Sequence, residues 1–330
     1  MGANCTHSSL DQFGKEWNSQ EAIVSDLKLV STGLRQSPID IDLNMVQKNF
    51  SSIKHSKHSN RLAVKYPNLM SNLVIQNTGY GWKFDLPEMV AAKTELKGGP
   101  LRNHIYRMCQ FHCHWGVNLA RGSEHTINGR SYAAELHFVH WNTSLFSAFS
   151  EALSQTHGLA VVAVFIEIGF QKNKELEKVL KQINAIKFKG NRKLVEESID
   201  IAQLMPNNKS YWTYQGSLTT PPLFESVTWI IYSNPIYATI DQLKKFRHVF
   251  YTAEADTSFG GRLIENHRST QPLNGRLVQY IPDSVNDSIR FDSHQNSSNR
   301  DIRRIGSNKR EKNFYDRKLA KILEYNTESA

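Results

Sequence analysis

Gln110-Phe-His-Cys-His-Trp-Gly116 is the stretch from which this chain is best read. Side chains of an extended strand alternate between its two faces, so His112 and His114 share one face while Phe111, Cys113 and Trp115 share the other. Two imidazoles one pleat apart can hold a metal ion together. Further on, Ala134-Glu-Leu-His-Phe-Val-His-Trp141 also reads as a strand, with Glu135, His137, Val139 and Trp141 on one face. Paired with the first strand, it supplies His137 as a third nitrogen. Three neutral imidazoles with a fourth position left open describe a catalytic zinc site, since a structural one closes its shell with four protein ligands.

Spacing alone leaves an alternative open. The chain has 13 histidines, and a His-x-His in a strand is often only a solvated or hydrogen-bonded pair. The neighbours favour the metal. Gln110 lies on the face of His112 and Glu135 on the face of His137, and an amide or carboxylate acceptor of this kind fixes the tautomer of a ligating imidazole.

The motifs around these strands resemble the alpha-class carbonic anhydrases. They are Phe111-His-Cys-His-Trp-Gly116, Ser123-Glu-His-Thr126, Tyr132 to Asn142, and Tyr211-Trp-Thr-Tyr-Gln-Gly-Ser-Leu-Thr-Thr-Pro-Pro222. Arg35-Gln-Ser-Pro-Ile-Asp-Ile41, Leu96-Lys-Gly-Gly-Pro-Leu101 and Gln271-Pro-Leu273 follow the same family order. The resemblance covers roughly residues 33 to 281. It implies a mainly β (α+β) single domain, with a large twisted, mostly antiparallel sheet, small surface helices and zinc in a conical cleft. It also implies reversible hydration of carbon dioxide to bicarbonate and a proton, by hydroxide on zinc held by His112, His114 and His137. Gln110 and Glu135 would then be the outer partners of the ligands.

Further roles follow from the resemblance alone. Thr219 would accept the proton of the attacking hydroxide in a hydrogen bond, and Glu124 would accept from Thr219 and fix that direction. On spacing alone, Thr219-Thr-Pro-Pro222 is an ordinary proline-bounded turn. The apolar substrate would rest against Val139, Val161, Leu218 and Trp229, with Thr220 beside them; periodicity alone makes the apolar ones core residues. His125, His140 and the Tyr211–Tyr214 segment are expected to serve structural hydrogen bonds. The family's fast members carry a proton-relaying histidine on the cleft wall, and its position here falls on Tyr80, with Lys83 nearby. A phenol with a pKa of about 10 relays protons poorly at neutral pH compared with an imidazole. Cys113 replaces the aromatic residue usual between the first two ligands, and it should affect packing only.

Bulk properties fit one large core with extensions. The chain has 330 residues, of which 39% are hydrophobic, and no run of eighteen apolar residues. A net charge of +9 would suit a nucleic-acid partner. The positive residues are spread singly, however, without a basic stripe interleaved with aromatics, so no nucleic acid is expected. A monomer is expected. Short apolar runs at Ile39–Ile41, Leu62–Val64, Leu73–Ile75 and Trp82–Leu86 alternate with Gly, Asn and Pro, as strands do. Leu159 to Ile166 is continuously apolar and reads as a central strand buried on both faces. Helices are expected at Lys174–Ala185 and near Thr239–Phe246.

The three cysteines are Cys5, Cys109 and Cys113. The last two, four apart on one strand, stand about 13 Å apart, too far for a disulfide. Free thiols favour a reducing compartment, hence a cytoplasmic location. The disulfide usual in secreted family members has no counterpart here, since the loop after Pro222 reads Leu223-Phe224. Residues 1–32 are poorly patterned, and residues 282–330 have the composition of a disordered basic tail. Within that tail, Phe314–Tyr325 has the pattern of a short basic amphipathic helix, against the simpler reading of a solvated tail. Met1-Gly-Ala-Asn-Cys-Thr6 fits myristoylation of Gly2, with Cys5 or the basic tail as a second membrane signal. The pattern is short and matches many unmodified proteins, so an unmodified N-terminus is the simpler reading. Two alternatives to catalysis are a non-catalytic member of the same fold acting as a binding module, and a membrane-recruited scaffold.

Overall fold

The computed structural model describes residues 33–48, 61–255 and 261–284, together with Asp287. Gly2, Cys5, the Phe314–Tyr325 segment and the basic tail beyond Asp287 lie outside the described residues.

Strands dominate. In chain order the first are β1 (Asp40–Ile41), β2 (Gln47–Lys48), β3 (Ala63–Lys65), β4 (Val74–Asn77) and β5 (Trp82–Asp85). There follow β6 (Glu95–Lys97), β7 (Tyr106–Trp115), β8 (Thr126–Ile127), β9 (Ala134–Asn142) and β10 (Leu159–Ile168). The last are β11 (Arg192–Leu194), β12 (Tyr211–Gly216), β13 (Val227–Tyr232), β14 (Ile236–Ala238) and β15 (Gln279–Ile281). All but β1 and β8 join one mixed sheet, whose main path runs β11-β4-β5-β7-β9-β10-β13-β12-β15-β2. Its pairings are antiparallel except β10 with β13, β10 with β14, and β15 with β2. The expected mainly antiparallel sheet is the observed one.

The three longest strands, β7, β9 and β10, lie side by side in the middle. Every residue of β10 is buried, as a continuous apolar run between two covered faces requires. The sheet separates two apolar clusters. One contains Phe84, Phe111 and Phe138, stacked in a row across β5, β7 and β9, with ring centroids 4.7 and 5.6 Å apart. The other contains Val139, Val161 and Trp229. Strand alternation along β7 and β9 puts the histidines on the face of this second cluster.

Both expected helices form, and capping explains where they start. Asn173 accepts from the main-chain N–H groups of Glu175 and Leu176 at the head of the helix Lys174–Lys181. Thr239 and Gln242 form a reciprocal capping box ahead of Ile240–Lys245. The first helix is shorter than the apolar spacing predicts. At Gln182 its main chain tightens to i→i+3 bonding, with the N–H of Gln182 on the carbonyl of Val179 at 3.2 Å, and Ile183–Ile186 follow as a 3-10 turn. The turn keeps Ile183 and Ile186 buried, so the apolar pattern outlasts the α-helix.

The sequence reading also misses an irregularity in β7. Pairing with β9 shifts register between Met108 and Gln110, leaving Cys109 as the extra residue. Strict alternation would place Cys109 with Cys113. Instead Cys109 joins the second cluster and Cys113 the first; both are buried and neither is in a disulfide.

Candidate metal centre

The site begins with register. In the antiparallel pair β7–β9, His112 stands directly opposite His137, and His114 directly opposite Glu135. Directly opposed residues keep their Cβ atoms about 5 Å apart on one face. The three imidazoles therefore meet, and their ligand nitrogens all lie within 4.8 Å of one another. His114 and His137 are buried and His112 is half-buried.

Each ring is also held from behind. His112 Nδ1 donates to Gln110 Oε1 at 2.8 Å, His114 Nδ1 to the main-chain oxygen of Asn266 at 2.9 Å, and His137 Nε2 to Glu135 Oε1 at 2.8 Å. These three acceptors place the N–H on the outer nitrogen of every ring and a lone pair on the inner one. His112 Nε2 and His114 Nε2 then face each other at 3.1 Å as two lone pairs, an arrangement that calls for a cation between them. Burial pushes His114 below the usual imidazole range, which keeps it neutral and able to coordinate. The donor set fits zinc.

A second cluster, His125, Glu135 and His137, is also close enough to share an ion. Its groups are committed elsewhere. His125 uses Nδ1 on Glu135 Oε1 at 2.7 Å and Nε2 on the Tyr214 hydroxyl at 2.8 Å. Glu135 Oε2 accepts from the main-chain N–H groups of Glu124 and His125. The Tyr214 hydroxyl donates in turn to Ser37 Oγ at 2.7 Å. His140 is likewise a structural group, bonded to Phe138 O and the Tyr66 hydroxyl.

Glu124 sits under the histidines, fully buried. Its Oε1 accepts from the Arg268 main-chain N–H at 2.9 Å and lies 3.4 Å from His114 Nδ1. Its Oε2 lies 3.9 Å from His137 Nδ1 and has no hydrogen-bond partner. Thr219 is buried in the turn after β12, closed by the N–H of Leu218 on Phe224 O and that of Leu223 on Thr220 O.

The apolar wall is contiguous. Val161 of β10 stands opposite Val139 of β9 on one side and Trp229 of β13 on the other, so the three form a row across three strands. The Trp229 ring lies 4.9 Å from that of His137, with its indole N–H on Ser217 O. Leu218 packs against the same cluster. Tyr80 is half-buried, its ring against the Phe111 cluster, and its main-chain oxygen accepts from Asn266 Nδ2.

These motifs sit in a known frame. A family model for eukaryotic-type carbonic anhydrases matches residues 15–282. The chain belongs to the eukaryotic-type carbonic anhydrase family. Carbonic anhydrase 1 of Monodelphis domestica is 42% identical over 255 residues, 77% of this chain and 92% of that protein. Carbonic anhydrase 1 of Oryctolagus cuniculus is 40% identical over 247 residues, 75% of this chain and 99% of that one. Mitochondrial carbonic anhydrase 5B of Mus musculus is 42% identical over 255 residues, 77% of this chain and 76% of its own length. Eukaryotic-type carbonic anhydrases are zinc enzymes of the lyase class that interconvert carbon dioxide and bicarbonate. Among the described residues, no helix is long and apolar enough to cross a membrane.

Asn266 is the group that sequence reasoning missed. Its main chain holds His114, while its side chain holds the Trp115 N–H and the carbonyls of Cys113 and Tyr80. The only signal nearby is Gln271-Pro-Leu273, five residues downstream and silent about this role. Arg268, which presents its N–H to Glu124, escaped for the same reason.

Proposed function

We propose that this chain catalyses the reversible hydration of carbon dioxide to bicarbonate and a proton, with zinc held by His112, His114 and His137. One observation carries the reading: three inner ring nitrogens converge while all three outer nitrogens donate to Gln110, Asn266 and Glu135. Zinc bound by three neutral imidazoles keeps its full charge and supplies the Lewis acidity that activates water near neutral pH.

The remaining roles belong to protein groups. Glu124 Oε2 is a buried carboxylate oxygen in need of a donor, and the Thr219 hydroxyl is proposed to provide it. With its proton committed to Glu124, Thr219 can only accept from the nucleophile, which aims the attacking lone pair at the carbon. Val139, Val161, Leu218 and Trp229 offer an apolar resting place to an apolar substrate, and Thr220 flanks them on the turn. By sequence, Tyr80 falls at the position of the family's relay histidine. Its phenol, packed against apolar side chains, should pass protons slowly at neutral pH. Neither Cys109 nor Cys113 is in a disulfide, which favours a reducing compartment, and we place the protein in the cytoplasm on that ground.

Metal analysis and stopped-flow hydration on the purified protein test the reading together. One zinc per chain and hydratase activity are expected, with both largely lost in His114→Ala, because two imidazoles and water bind zinc far less tightly than three. Full activity in zinc-depleted His114→Ala would overturn it.

A further inference from the structure

A cavity of about 490 Å3 opens between β3, the turn Ile201–Leu204 and the ends of β12, β13 and β15. Its inner lining, including Met205, Tyr211 and Tyr232, belongs to the Phe111 cluster, so it lies across the sheet from the histidines. None of the motif residues described above needs a cavity there. Its size falls within the range of small-molecule sites.

Its chemistry is lopsided. Three tyrosine rings, Tyr66, Tyr211 and Tyr232, combine with Leu62, Val64 and Met205 into an apolar and aromatic floor. Burial pushes the Tyr211 and Tyr232 hydroxyls well above the usual phenol range, so they stay neutral. Among the described lining residues three are cationic, Arg61, Lys65 and Lys209, and one is a carboxylate, Asp283; Glu95 stands opposite Lys65 on the next strand. The Asp283 carboxylate already accepts from the Lys209 main-chain N–H at 3.1 Å. The Lys209 ammonium donates to Pro206 O at 2.6 Å and lies 5.5 Å from the Tyr232 ring centroid. Of its three N–H donors, this bond takes one.

We propose that the cavity binds a small organic monoanion with a flat apolar body, of the class of aromatic carboxylates. The rings receive the body and the lysines the carboxylate. One carboxylate among three cations rules against a metal-cation site. Tyr66 reaches beyond the cavity, since its hydroxyl meets His140 Nε2 at 2.9 Å on the strand that bears His137. A ligand here would therefore rest against the back of the metal-bearing strand.

The test is calorimetric titration of the full-length protein with naphthalene-2-carboxylate and with its neutral amide. Carboxylates also bind metal centres, so the same titration is run on His114→Ala, which disables the histidine site. One saturable carboxylate site should survive in His114→Ala. It should weaken about tenfold in each of Lys65→Gln and Lys209→Gln, the loss of one charge-assisted hydrogen bond. Amide binding should not respond to those two changes, and Ala202→Trp at the exposed lip should abolish binding of both compounds. The proposal fails if the full chain shows no saturable site at millimolar ligand, or if binding disappears in His114→Ala. It fails equally if affinity is unchanged in both lysine variants or in Ala202→Trp.

Discussion

His137 donates through Nε2 to Glu135 Oε1 at 2.8 Å, two residues back along the same strand. One carboxylate oxygen thus sets the tautomer of a ligand while its twin holds the main chain of Glu124 and His125. Burial alone would raise the Glu135 carboxyl. The charge of His125 beside it and the two imidazole donors more than reverse this, and hold it well below its usual range. Its stabilising contribution is therefore complete above the unfolded value and is lost only as the pH falls toward the depressed one.

Glu135→Gln keeps the shape and removes the charge. Zinc affinity should fall about 10- to 100-fold, as for other outer partners of metal-bound histidines. Competition against a chelator of known affinity measures it. An unchanged affinity would mean that the carboxylate is only a structural anchor.

Thr219→Ala separates orientation from coordination. The variant should keep its zinc, since Thr219 is not one of the three ligands, and lose roughly 100-fold in hydration rate through misdirected attack. Zinc content and stopped-flow rate on one preparation decide. Loss of the metal would refute the division of roles between Thr219 and the histidines.

Tyr80 predicts a proton-limited enzyme. In weak buffer, turnover should rise on adding imidazole, and Tyr80→His should raise it in the same way with little change in the carbon dioxide step. The readout is kcat against kcat/KM at several buffer concentrations. If neither treatment moves kcat, proton release is not the slow step.

His140 makes a pH prediction for stability. Burial pushes it down to about 4, and an unfolded histidine titrates near 6.5. Between those values the unfolded chain binds the extra proton, so stability rises with pH, is complete above about 6.5 and is lost toward 4. The contribution is of order 3 kcal/mol. Urea unfolding across that window should show a slope shallower by about one proton in His140→Gln than in the parent. Equal slopes would place the acid sensitivity in other groups.

Much of the centre was legible because it is local. Period-two alternation puts Gln110, His112 and His114 on one face of β7, and Glu135 and His137 on one face of β9, whatever the rest of the chain does. The unbroken apolar run of β10 similarly required two covered faces. Familiar motifs then identified the family, which composition and spacing would not have done.

Only the tertiary structure could decide the rest. Asn266 reaches His114 across 152 residues of chain, and no periodicity encodes a contact between a loop and a strand that far apart. The bulge at Cys109 depends on how β9 is paired, so alternation within β7 alone misplaces that thiol. The end of the helix at Lys181 escapes for a related reason, since a 3-10 turn buries the same apolar positions that a further α-turn would. The sequence determined which side chains could meet a metal, because a strand's geometry is set residue by residue. The fold determined which partners hold them there, because those partners are neighbours in space alone.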